Sequence, residues 1–213
     1  MNIGFIPAKT ARLEPAREAL IDVHSGRRIS FGQLDENICR LANGFVDQLG
    51  LSKGDRVAVL SKNAIEYMEV YYACARVGLI AQPINWRLGT DEIVRILEDG
   101  SPSVVISSDE YLEQIKQLKD KVIVAHWLNF GANGDGSYGS LLQASPSTEP
   151  PSSADVGGDD PVLILYTGGT TGQSKGALHT HRSLSTGMIN QTVAERIVPA
   201  DVYMLTGQMF HIP

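Results

Sequence analysis

Apolar positions along the first two thirds of the chain switch repeatedly between helical spacing and short continuous runs. Leu34, Ile38, Leu41, Phe45 and Leu49 recur every three or four residues, which places them on one face of a helix. Ser30 followed by Gln33 is a capping-box pair, and Gly50 before Leu51 is a C-terminal stop, so the helix is predicted from about Phe31 to Leu49. After the Gly54-Asp55 turn, RVAVLS predicts a strand over Arg56–Ser61. Asn63, with Glu66 three residues on, predicts a helix start, and Ile65, Met68, Tyr72 and Ala75 are its expected inward residues. Tyr67, Tyr71 and Tyr72 fit packing on that helix better than a nucleotide platform.

The alternation continues. A strand is predicted at Leu79–Ile84, a helix capped by Thr90 to about Asp99, a strand at Val104–Ser107, a helix near Tyr111–Leu118 and a strand at Val122–Ala125. Serial β-α units form a layered α/β domain, with mainly parallel sheets and flanking helices. Between Ala144 and Asp160 the chain turns to Pro, Ser, Gly and Asp, which bury little apolar surface. The expected organisation is therefore an N-terminal α/β subdomain over 1–143, a flexible linker over 144–160, and a further unit from 161 to 213.

Charge changes the picture in one respect. A net charge of −6 over 213 residues argues against a nucleic-acid partner gripped through its phosphates. Any anion must be met locally. Cys39 and Cys74 sit in helical patterns without a CxxC pair or a His/Cys cluster, so no metal site is expected and both read as buried free thiols of a reducing, cytoplasmic compartment. No apolar run approaches the length of a membrane span.

Candidate chemistry concentrates in VLILYTGGTTGQSKGALHTHRSL, residues 162–184. Val162–Tyr166 is a continuous apolar run of strand length, the pattern of a strand buried on both faces. It opens into Thr167, Gly168, Gly169, Thr170, Thr171, Gly172, Gln173, Ser174, Lys175 and Gly176. Glycines leaving a strand let backbone N–H groups converge on one point, a geometry suited to phosphate oxygens. Threonine hydroxyls and a lysine ammonium would add donors to a charged acceptor. No Asp or Glu occurs from Pro161 through Ala194, whereas Lys175, His179, His181 and Arg182 do, so a local positive patch is expected in an acidic chain. The composition alone also fits an ordinary mobile loop. The GxxxxGK[ST] pattern is absent, because Ser174 precedes Lys175 and Gly176 follows it.

YTGGTTGQSKG, residues 166–176, resembles the Y-T-S-G-T-T-G-x-P-K-G signature of the adenylate-forming superfamily, which includes acyl-CoA synthetases, peptide-synthetase adenylation domains and luciferases. Nine of eleven positions agree, with Gly168 in place of serine and Ser174 in place of proline. GALHTHRSL, the terminal QMFHIP (residues 208–213, with Gln208 where the family often has Pro) and upstream stretches such as GDRVAVLSKNAIEYMEVYYACARVG and PINWRLGTDEI are similar to acyl-CoA synthetases. The likeness runs from about Ala16 to the end.

The resemblance implies the N-terminal portion of the acyl-CoA synthetase large domain, from a protein that uses ATP and Mg2+ to turn a carboxylic acid, fatty or aryl, into acyl-AMP and passes it to coenzyme A. It implies ATP phosphate contacts at Thr167, Gly168, Gly169, Thr170, Thr171, Gly172 and Lys175, a histidine beside the acyl carboxylate at His211, and a CoA phosphate contact at Arg87. The family's later motifs are missing, so a fragment is expected that is inactive alone, that needs the C-terminal part of the same enzyme, and that self-associates, as a homodimer or an aggregate. Plainer readings stand beside these: a solvated Lys175, a core-packed His211, an Arg87 paired with a nearby acid. An adenylation domain that loads a carrier protein and a non-catalytic nucleotide- or partner-binding module are the rival functions.

Overall fold

The computed structural model describes residues 1–167 and 174–211, apart from the side chains of Ser152 and Ser153. Its centre is a six-stranded sheet built from β3 (Arg56–Leu60), β4 (Ile80–Pro83), β5 (Val104–Ser108), β6 (His126–Phe130), β7 (Pro161–Thr167) and β8 (Lys175–Thr180). The spatial order is β6-β5-β3-β4-β7-β8. Five strands are parallel, and β8 returns antiparallel to β7. An antiparallel hairpin of β1 (Glu18–Ile21) and β2 (Arg28–Ser30) stands apart.

Alternate residues of the inner strands feed two cores, as a doubly covered sheet requires. Val57, Val59, Ala81, Val104 and Ile106 pack with α2 (Phe31–Asn43) and α3 (Ile65–Val77). On the opposite face Ala58, Leu60 and Val105 pack with α4 (Thr90–Gly100) and α5 (Leu112–Lys119). α1 (Ile6–Leu13), α6 (Gly136–Ala144) and α7 (His181–Ala194) complete the helices. The layered, mainly parallel α/β architecture expected from the sequence is the one observed.

The Ser30–Gln33 capping box forms in both directions. The helix behind it changes pitch: regular α2 ends at Asn43, and Gly44–Gln48 form a π-helical turn. Gly44 lies so close to α6 that an added Cβ would stand 2.8 Å from Leu141 Cγ and from Ser145 Oγ. The wider turn accompanies that close approach.

Four expectations need correction. Thr90 does not cap α4: Gly89 is the N-cap, its N–H donating to the Glu92 carboxylate at 2.9 Å, while Thr90 Oγ1 donates to Gln117. Asn63 does not cap α3, since Ala64 holds that position and the Asn63 side chain turns to residues 207 and 209. Of the expected inward residues of α3, Ile65 and Ala75 are buried, with Tyr67, Val70, Ala73, Cys74 and Val77 beside them, whereas Met68 and Tyr72 are half-buried. The helix is wedged between α2, the sheet and the N-terminal turn, so its buried arc exceeds one stripe and takes in Glu66, Glu69 and Arg76. Finally, the strand expected at Val122–Ala125 lies at His126–Phe130. Val122 N–H is still bonded to Leu118 O, Ile123 is fully exposed, and the parallel register with β5 begins at Val104↔His126.

Residues 145–160 carry tertiary bonds. Asn43 donates to the carbonyls of Pro146 and Thr148, Glu149 meets Arg76 at 2.6 Å, and Lys53 reaches both the Asp155 carbonyl and the Asp160 carboxylate. Beyond them β7 joins β4 in the same sheet. Cys39 and Cys74 are buried free thiols, as expected, and burial pushes the Cys39 thiol up to about 11.

Candidate functional site

β7 delivers its end to the sheet margin. Val162 and Leu163 are buried, Ile164 to Tyr166 are half-buried and Thr167 is exposed, so the strand is not covered on both faces along its length. Its neighbour on one side, β8, is largely exposed, and the covering layer thins out toward it. Tyr166, the first residue of the glycine-rich motif, packs against the α4–α5 core and donates its hydroxyl to the Asp99 carboxylate at 2.6 Å. Burial, followed by that bond to an anion, holds its phenol well above the ordinary range.

Thr167 and Lys175 face each other as the last antiparallel pair of β7 and β8, with Tyr166 opposite Gly176 one step inward. Both are exposed. Gly168, Gly169, Thr170, Thr171 and Gly172, which link the two strands in sequence, lie outside the described residues. The positive patch expected around the turn is smaller in three dimensions. His181 is completely buried, its Nδ1 accepting from the Ile3 N–H at 3.1 Å, and burial drives its pKa down to about 4. Arg182 is matched by Asp159 through two bonds of 2.7 and 2.9 Å. Lys175 is exposed at the start of β8.

His211 and Arg87, far apart in sequence, line one open groove of about 360 Å³ with Asn85, Gly207, Gln208 and Phe210. Both are exposed, so His211 is not a core histidine. The Arg87 guanidinium lies over the Trp86 ring, 4.9 Å from its centroid. Asn85 Oδ1 accepts the Arg87 N–H at 3.0 Å and shapes this turn. Thr167 and Lys175 are not among the groove's lining residues. Sequence reading missed the residues that hold these pieces, above all Asp99, Asn63, Trp86 and Gln208. Single polar side chains in loops and helix ends carry no periodic signal.

The class follows from the fold: a mixed, mainly parallel sheet flanked by helices, of the kind seen in N-terminal domains of acyl-CoA synthetases. The AMP-binding enzyme family matches residues 8–213, and the chain belongs to that family. It is 32% identical over 99% of its length to the long-chain-fatty-acid–CoA ligase FadD13 of Mycobacterium tuberculosis, covering 41% of that protein. It is 31% identical to a feruloyl-CoA synthase of Amycolatopsis, with 99% of the chain and 40% of the relative covered. Against the fatty acid–[acyl-carrier-protein] ligase ScoC of Streptomyces coeruleorubidus it is 35% identical over 81% of the chain and 32% of the relative. Among solved structures, a protein described as a putative long-chain-fatty-acid CoA ligase from Rhodopseudomonas palustris superposes with a TM-score of 0.86 at 30% identity, over 99% of this chain and 52% of that one. ATP-bound MatB from the same organism gives 0.81 at 30% identity, over 99% and 41%. The chain spans about two fifths of the length of the curated relatives it matches.

Proposed function

We propose that this chain is the phosphate-gripping part of an ATP-dependent acid–thiol ligase that joins a carboxylic acid, fatty or aryl, to AMP and then transfers it to coenzyme A. The observation that carries the reading is the β7–β8 pair: Thr167 and Lys175, at the strand ends that flank the glycine- and threonine-rich stretch in sequence, stand opposite each other at an exposed sheet margin. In the first half-reaction a carboxylate oxygen attacks the α-phosphorus of ATP, an acyl-AMP ester forms, and the bond to pyrophosphate breaks. The task of Thr167–Gly172 and Lys175 is then to steady charge on the departing pyrophosphate. In the second, the CoA thiol displaces AMP. His211 would orient the acyl carboxylate by hydrogen bonding. Arg87 would meet a phosphate of CoA.

Magnesium would enter with the nucleotide. Residues 161–194 hold no carboxylate, and among the described residues there is no group of three His, Cys, Asp or Glu suited to an ion; no step is assigned to magnesium. No helix among the described residues is long and apolar enough to cross a membrane. A cytoplasmic setting and a homodimer belong to the proposal.

The test separates the half-reactions in the full-length protein. Lys175→Ala or Thr171→Ala should slow adenylation about 10- to 100-fold, a loss of about 1.4–2.8 kcal/mol of transition-state stabilisation. Thioester formation from preformed acyl-adenylate and CoA should run at the parental rate, because no pyrophosphate is present. Equal losses in both steps would assign the turn to architecture instead. A second reading, delivery to a carrier protein, is favoured by the similarity to the carrier-protein ligase ScoC. Carrier loading in place of CoA-dependent AMP release would decide for it.

A further inference from the structure

The segment that carries His211 has little secondary structure of its own, yet three side chains from elsewhere in the chain fasten it. Asn63, at the entrance to α3, acts as a two-point clamp. Its Nδ2 donates to the Gly207 carbonyl at 2.7 Å, and its Oδ1 accepts the Met209 N–H at 2.8 Å. Two turns into α3, the Tyr71 hydroxyl donates to the Met209 carbonyl at 2.5 Å. From the turn after β4, the Trp86 indole N–H donates to Gln208 Oε1 at 3.1 Å. The His211 N–H then closes a turn onto the Gln208 carbonyl at 3.0 Å.

These bonds differ from general packing. They engage the backbone of residues 207 and 209 and the side chain of 208 from α3 and its entrance and from the turn after β4, and the two ends of the fastened piece, Gly207 and His211, both line the groove. Trp86 is shared: its N–H holds Gln208 while its ring carries the Arg87 guanidinium at 4.9 Å and faces the Lys62 ammonium at 5.7 Å. One indole therefore contacts both Arg87 and Gln208, two residues that line the same groove. Asn63 is exposed and lies outside both hydrophobic cores, so a role in overall stability does not account for its two bonds.

We infer that Asn63, Tyr71 and Trp86 are positioning residues that hold the 207–211 segment, and through it His211, in the groove that Arg87 also lines. This rests on the ligase reading for its chemical consequence, but the clamp itself is a geometric claim with its own readout. In the full-length protein, hydrogen exchange of the Met209 and His211 amides should be slow and should accelerate about tenfold or more in Asn63→Ala and Trp86→Phe, with unchanged exchange in β3 and β5. Asn63→Asp retains the acceptor for Met209 but loses the donor to Gly207, so it should fall between.

In pyrophosphate exchange, Asn63→Ala and Trp86→Phe should raise KM for the carboxylic acid about tenfold while leaving KM for ATP unchanged, and neither should add to the effect of His211→Ala. Unaltered exchange at Met209 and His211 would overturn the clamp. Loosened amides with an unchanged acid KM, or effects fully additive with His211→Ala, would overturn the positioning role. A full-length protein with no acid-dependent exchange would defeat the ligase reading alone, leaving the amide measurement to decide the clamp.

Discussion

His181 shows how far a residue's meaning depends on where the fold puts it. Its ring is buried, with Nδ1 occupied by the Ile3 N–H and Nε2 without a partner among the described residues. The folded protein resists protonating it until about pH 4, whereas an unfolded histidine titrates near 6.5. A depressed folded value gives stability that is complete above pH 6.5 and is lost as pH falls toward 4, since only the unfolded chain takes up the proton in that window. By pH 5 the loss should be about 2 kcal/mol. Urea unfolding at pH 7.5 and pH 5 should show it, and His181→Gln should remove most of the difference. An equal pH dependence in the variant would place the titrating group elsewhere.

Arg76 is the other residue whose role is tertiary. Its side chain is wholly buried, yet it bonds Asp35 at 2.7 Å, Glu149 at 2.6 Å and the Gly4 carbonyl at 2.9 Å, under the Phe5 ring. It ties α2, α3, the N-terminal turn and the 145–160 segment together. Arg76→Met should cost about 1–2 kcal/mol, because it removes the buried donor to the Gly4 carbonyl, while the two carboxylates it also leaves are partly exposed and regain water. A chemical-denaturation midpoint within error of the parent would show that the network contributes no net stability. Glu69, pushed up by burial despite bonds from Asn37 and Tyr138, forms a second such network on the same helix.

At the scale of elements, the crossing of α2 and α6 depends on Gly44. An added methyl would meet Leu141 and Ser145 at 2.8 Å, closer than side chains can approach without movement. Gly44→Ala should therefore destabilise by about 1–3 kcal/mol, in contrast to the gain that Gly→Ala gives on an exposed helix. Thermal unfolding decides the sign, and a stabilised variant would show that the helices slide apart freely. Most element types were legible beforehand, because amphipathic spacing and capping chemistry act locally. The misplaced sixth strand, the uncapped Thr90 and the omitted α1, α6 and β1–β2 hairpin are short or weakly patterned pieces. Their state is set by partners, as His126 is by Val104 across the sheet.

For the whole molecule, coverage is uneven. Beside the well-packed cores, Leu178, Ile189, Val193, Val198, Val202, Tyr203 and Met204 are exposed. Large apolar side chains left exposed in such number favour association. The 213-residue chain on its own should dimerise or aggregate, and static light scattering across a concentration series checks this. A monomer at high concentration would show that the surface tolerates water.

By itself the sequence determined the α/β class, the order of most elements, the strand that leads into the glycine-rich motif, and the family, since periodicity, caps and a contiguous motif are properties of neighbouring residues. The tertiary structure decided what the scattered polar residues do. It buried His181 and removed it from the positive patch, turned Asn63 from a helix cap into a clamp, and brought Arg87 and His211 to one groove across 124 positions of chain. Such pairings depend on how sheet and helices fold back on one another, and a long-range contact between single polar side chains leaves no period for the sequence to display.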